Sequence, residues 1–129
     1  AMGATAFQKG LGAIHAMSHP VGAVFNTHHG TTNAVCMPAV LAFNADAIRG
    51  RFDQAAAYLG IDGGFDGFCE FVQQFNDSFA IPRTLTEMGV SADRLDDLVV
   101  AMALEDPSCG GNPVELTADS LRGLFRACF

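Results

Sequence analysis

Residues 10 to 44 read GLGAIHAMSHPVGAVFNTHHGTTNAVCMPAVLAFN, and this stretch decides how the chain folds. Residues 10 to 45 contain no Asp, Glu, Lys or Arg, yet all four histidines of the chain lie among them. A segment without formal charge belongs largely inside a fold, and a histidine cluster inside a fold has chemistry available to it. From about Leu11 to Phe25 apolar residues fill most positions, as in a helix covered on all sides. Asn26-Thr27 predicts a break, and Thr31 to Phe43 a second apolar helix whose N-terminal amides face His29.

His15 and His19 stand four apart, so on a helix their rings project from one face about one turn from each other. His28 and His29 follow the break, so a helix, a turn and a second helix start can converge three imidazoles. Neutral imidazole suits zinc, iron, copper or nickel, and catalytic sites keep three protein ligands and an open position. Spacing alone leaves two readings open: a metal site, or core histidines satisfied by backbone partners. It does not say which rings would bind.

Outward from this stretch the pattern stays helical. Gly10-Leu11-Gly12 predicts a break after a small-residue helix over residues 1–8, and Pro20 predicts a kink near His19. Asn44-Ala45-Asp46 closes the second apolar helix. Ala47 to Leu59 carries Ile48, Phe52, Ala55, Ala56 and Leu59 at helical spacing, with Gly60 suited to a left-handed C-terminal cap. Phe65, Phe68, Cys69, Val72, Phe75 and Phe79 form one stripe, read as core. A short helical turn is expected over Thr84 to Met88. Ser91 is placed to cap a helix presenting Leu95, Leu98, Val99 and Met102, which Asp106-Pro107 stops. After a loop over Cys109 to Pro113, Thr117 caps a last helix with Leu121, Leu124 and Phe125 inward. No strand period persists, so the expectation is an all-α fold, one helical domain of about seven helices.

The chain has 129 residues, net charge −7 and 50% hydrophobic residues, with a pI near 4.7 and mean hydropathy +0.25. That length suits one domain, and the apolar excess suits a domain that docks on another. Scattered Lys and Arg in an acidic chain argue against nucleic acid. Four histidines, Pro20, Pro38 and the Asn26-Thr27 break argue against a membrane span. No charged-then-apolar secretory segment opens the chain, so a cytoplasmic origin is expected. Cys36, Cys69, Cys109 and Cys128 are far apart and read as small buried residues in a reducing compartment rather than a zinc site.

The residues also carry a resemblance. Gly12 to Gly22 fits G-x-x-H-A-x-x-H-x-x-G, His29 to Pro38 fits H-G-x-x-N-A-x-x-x-P, and Asp106 to Thr117 fits D-x-x-x-x-x-N-P-x-x-L-T. Together they resemble the C-terminal helical domain of the iron-containing (group III) alcohol dehydrogenases, an architecture shared with glycerol dehydrogenase and dehydroquinate synthase-like proteins. The resemblance spans nearly the whole chain, with residues 46–105 matched by pattern more than motif. It implies that His15 and His29 are metal ligands and that His19 lies near substrate and nicotinamide as a catalytic residue. His28 stands where the family has Pro and receives no role. The implied cofactors are a divalent metal, Fe(II) with Zn(II) as the alternative, and NAD or NADP. The implied reaction is hydride transfer between a small alcohol or aldehyde and NAD(P)+.

One departure accompanies the match. The family completes its metal shell with an upstream Asp-x-x-x-His segment and holds nucleotide with a Gly-rich loop, and no such segments occur here. The expectation is therefore a metal-binding helical domain over residues 1–129 without its N-terminal dinucleotide-binding α/β domain, inactive by itself. That domain is the expected partner, and a homo-oligomer is compatible with it. The competing expectations are a stand-alone helical metal-binding module and a structural helical domain.

Overall fold

The structure, a computed structural model, describes residues 10–95 and 97–129; the helix expected over residues 1–8 lies outside them. Among the described residues there are five α-helices and two 3-10 turns, with no strand. The helices are α1 (Ala13–Phe25), α2 (His29–Leu59), α3 (Gly64–Ser78), α4 (Asp97–Glu105) and α5 (Ala118–Ala127). The 3-10 turns are Ala92–Arg94 and Pro107–Gly111. The all-α expectation holds.

Helix α1 is the hub. Ala13, Met17 and Val21 recur every fourth residue and are fully buried, together with Ala16. They meet Val35, Cys36 and Val40 of α2, Val99, Val100 and Ala103 of α4, and Leu121, Leu124 and Phe125 of α5 in one continuous core. Pro20 is accommodated inside α1 and buried there. Thr117 caps α5 through a reciprocal pair, its hydroxyl accepting from Ser120 N at 3.1 Å while Ser120 Oγ accepts from Thr117 N at 2.9 Å.

The start of α1 is held from a distance. Gly12 supplies no side-chain cap, so the Ala13 amide donates instead to Asn112 Oδ1 at 3.2 Å. Asn112 also exchanges two 2.9 Å hydrogen bonds with Asn44 of α2 and donates to Val114 O at 2.7 Å. A Cβ on the neighbouring Gly111 would fall 1.8 Å from Leu11 O, so only glycine lets the loop approach this closely.

Three expectations are corrected. The chain does not break at Asn44-Ala45-Asp46: α2 runs unbroken through His29–Leu59, because the Asn44 side chain is spent on Asn112 rather than on a cap. Ser91 precedes only a 3-10 turn, its side chain making no capping hydrogen bond to the turn's amides, and α4 begins at Asp97 with Val99, Val100 and Ala103 inward while Leu98 is exposed. The Phe stripe of α3 is core only at its beginning. Phe65 is buried and meets the Phe52 ring edge-on at 5.9 Å, whereas Phe75 and Phe79 are exposed. The second half of α2 and α3 thus pair as an arm beside the core, joined by the Asp53 carboxylate accepting from Phe65 N at 2.8 Å. Gly60 takes the left-handed cap at the end of α2, as its position predicts.

Candidate functional site

Local sequence sets the turn that builds the site. Asn26 ends α1 in the left-handed conformation, φ 55°, its amide donating to Gly22 O at 2.9 Å. Asparagine tolerates that conformation better than most residues because its short side chain clashes little. Two residues later comes His28, the N-cap of α2, its Nδ1 accepting from Thr31 N at 3.3 Å. His28 therefore has a structural role that the sequence alone does not show.

This turn brings three imidazoles together. Ring centroids lie 5.6 Å apart for His15 and His19, 5.2 Å for His15 and His29, and 5.3 Å for His19 and His29. Their hydrogen bonds separate them into a pair and a neighbour. The Asn33 amide, one turn after His29, donates to Nε2 of His15 at 3.3 Å and to Nε2 of His29 at 3.1 Å. Both rings then carry their proton on Nδ1 and direct Nε2 lone pairs at a single donor. His29 Nδ1 lies 3.5 Å from the Ser18 hydroxyl, which donates to His15 O at 3.4 Å and is itself fully buried.

Two lone pairs converging on one polar hydrogen donor are the arrangement a cation would use. Asn33 Oδ1 is buried without a partner, so the amide is only half satisfied in this state. These residues fit a metal as part of a shell. Among the described residues no group of three His, Cys, Asp or Glu is arranged to hold one, so further donors would have to come from outside them.

His19 turns elsewhere. Its Nδ1 donates to Asp106 Oδ2 at 2.8 Å, while its ring lies nearly parallel to that of His29, 16° between planes. Asp106 Oδ1 accepts from Ser108 N at 2.8 Å, so the carboxylate is fixed on both oxygens at the end of α4. Burial disfavours the Asp106 carboxylate, but hydrogen bonds from Ser108 and His19 outweigh it and hold its pKa below the usual range. Burial, then the neighbouring His29 and His19, push the His15 pKa down, which favours the neutral ring a metal needs.

A mostly apolar recess of about 250 Å³ touches His15, lined among others by Ile14, Leu41, Ile48 and Phe52. A larger one of about 490 Å³ lies away from the histidines, between Arg122, Arg126 and Phe129.

The profile of the "Fe-containing alcohol dehydrogenase family, C-terminal" matches residues 1–129. This chain belongs to that family. It is 41% identical over 132 aligned positions to the 4-hydroxybutyrate dehydrogenase of Cupriavidus necator, covering 95% of this chain and 34% of that protein. It is 33% identical over 127 positions to the lactaldehyde reductase of Escherichia coli K12, covering 93% and 33%. The crystal structure of a 1,3-propanediol oxidoreductase superposes with a TM-score of 0.84 at 28% identity, over 92% of this chain and 33% of that one. The chain thus spans about a third of the length of these relatives.

Against that family, Asp106, Asn33 and Ser18 are the residues that sequence reasoning passed over. Asp106 and Asn33 both sit in the matched motifs, where they read as a helix stop and a pattern letter. Ser18 had no signal beyond its place between the histidines. No described helix is long and apolar enough to cross a membrane.

Proposed function

We propose that this chain is the metal-holding helical part of an alcohol:NAD(P)+ oxidoreductase acting on small alcohols or aldehydes. The observation that carries the reading is the shared Asn33 donor, which aims Nε2 of His15 and of His29 at one point. These two rings are the proposed ligands. Bound there, Fe(II), or Zn(II) in its place, would supply Lewis acidity to the alcohol or carbonyl oxygen. Ser18 orients His29 through Nδ1, as the outer partners of metal-bound histidines do.

His19 is the proposed catalytic residue. In the oxidative direction the substrate carbon gives hydride to the nicotinamide ring, the hydroxyl proton passes to His19, and a carbonyl remains. The nucleotide is held by a partner α/β domain outside this chain, and the remaining metal donors come from there. The relatives' names support a small substrate, since 4-hydroxybutyrate and lactaldehyde are both short-chain compounds.

The test uses the full-length protein with short primary alcohols and NAD+ or NADP+. Activity is expected to fall on chelation and return with Fe(II) or Zn(II); turnover unaffected by exhaustive chelation contradicts the reading. The 129-residue chain alone should show no turnover above its His15→Ala variant.

A further inference from the structure

The contact between His19 and Asp106 joins residues 87 positions apart in sequence, from α1 and from the junction after α4. Its geometry is that of a set orientation rather than a chance surface pair. The Asp106 side chain is only 13% exposed, while His19 keeps 41% of its side-chain surface open. One carboxylate oxygen is taken by the Ser108 amide at 2.8 Å, which leaves the other aimed at His19 Nδ1, also at 2.8 Å. Pro107, which opens the 3-10 turn that Asp106 caps, restricts the backbone beside the carboxylate.

An acceptor-only group opposite Nδ1 leaves one neutral tautomer favoured. A carboxylate has no proton to donate, so the imidazole must place its own proton on Nδ1. Nε2 then carries the lone pair. Free imidazole side chains prefer the opposite arrangement, with the proton on Nε2, so the carboxylate reverses an intrinsic bias. A ring held in the wrong tautomer keeps its position and loses its function as a base.

Resting on the reading of His19 given above, we infer that Asp106 is a positioning residue: its carboxylate fixes His19 as the Nδ1–H tautomer and reserves Nε2 to exchange the substrate proton. Asp106 touches neither substrate nor metal. The hydroxyl proton is received at Nε2, and the imidazolium so formed has its Nδ1–H already on a carboxylate that stays ionised. In the reverse direction the same Nε2–H returns the proton to the carbonyl oxygen as hydride arrives at carbon. Loss of the carboxylate should therefore lower turnover without stripping metal.

The experiment is side-chain nitrogen NMR of ¹⁵N-histidine-labelled full-length protein in alkaline buffer, with kcat and metal content measured on the same samples. Wild-type His19 should show a protonated Nδ1 and an unprotonated Nε2. Asp106→Asn should shift the ring toward the Nε2–H tautomer and lower kcat roughly 100-fold or more, with metal content unchanged. Asp106→Glu, which keeps the charge, should recover part of both the tautomer and kcat. A wild-type His19 protonated on Nε2, or an Asp106→Asn variant that keeps Nδ1–H, overturns the inference whatever happens to activity. Loss of metal alongside kcat in Asp106→Asn also overturns it, because Asp106 would then act on the metal shell. A tautomer switch with kcat unchanged instead contradicts the role of His19 and leaves the positioning by Asp106 standing.

Discussion

Helix α2 is one helix with two characters. Its first half, His29 to Asn44, carries no charge and buries Thr32, Val35, Cys36, Val40, Leu41 and Asn44. Its second half carries Asp46, Arg49, Arg51 and Asp53 and buries Ala56 alone. The first half is part of the core and holds His29 and Asn33, while the second pairs with α3 as an arm whose outer aromatics Tyr58, Phe75 and Phe79 stay exposed. A continuous backbone therefore does not make a uniform element. The site-bearing half is fixed by packing and buried polar pairs, and the arm by a few ring contacts, the Asp53–Phe65 hydrogen bond and the exposed Arg49–Asp66 ion pair, the last of which contributes little.

That contrast predicts a gradient of mutational cost. The largest effect should come from Met17→Ala on α1, facing the first half of α2, since Met17 is fully buried at the hub. A loss of about 2–5 kcal/mol is expected in urea unfolding; a loss under about 1 kcal/mol would break the comparison. Asn112→Ala should follow, costing about 1–3 kcal/mol, because it leaves the Asn44 amide buried without its partner and α1 without its cap. A double variant with Asn44→Ala should cost less than the two single losses added, since the two side chains share their bonds. On the arm, Phe75→Ala should change stability by no more than about 0.5 kcal/mol, the side chain being exposed.

The smallest expected effect concerns charge at the site. His15 should titrate below the ordinary imidazole range in ¹H NMR of the metal-free protein, because burial and its histidine neighbours disfavour its cation. The sign is that of a depressed base: the folded state favours neutral His15, and any stability it contributes is lost as pH falls toward the lowered pKa. A midpoint at or above the usual imidazole value contradicts this environment.

How legible all this was depended on whether a residue's task was local. The break at Asn26, the left-handed Gly60, the Thr117 cap and the inward Leu121, Leu124 and Phe125 are decided within a turn of sequence, and pattern reasoning places them correctly. Asn44 and Ser91 look like helix signals by the same rules, yet Asn44 is claimed by Asn112, far along the chain, and the helix after Ser91 starts late. The stripe from Phe65 to Phe79 has helical spacing, but spacing cannot tell whether a neighbour covers it. At the site, the three histidines were visible as a cluster and the resemblance named a pair. The partners that distinguish them, Asn33 for His15 and His29 and Asp106 for His19, emerge only from the fold.

The central claim is that His15 and His29 form a metal-binding pair and that His19 stands beside it. It is tested most directly by the metal content of the full-length protein carrying His15→Ala, His19→Ala or His29→Ala, each dialysed against the same limiting Fe(II) or Zn(II). The account predicts that His15→Ala and His29→Ala lose most of their metal, with affinity reduced beyond the roughly 10–100-fold that loss of an outer partner costs, while His19→Ala keeps it. Metal lost from His19→Ala and retained by His29→Ala would contradict the account.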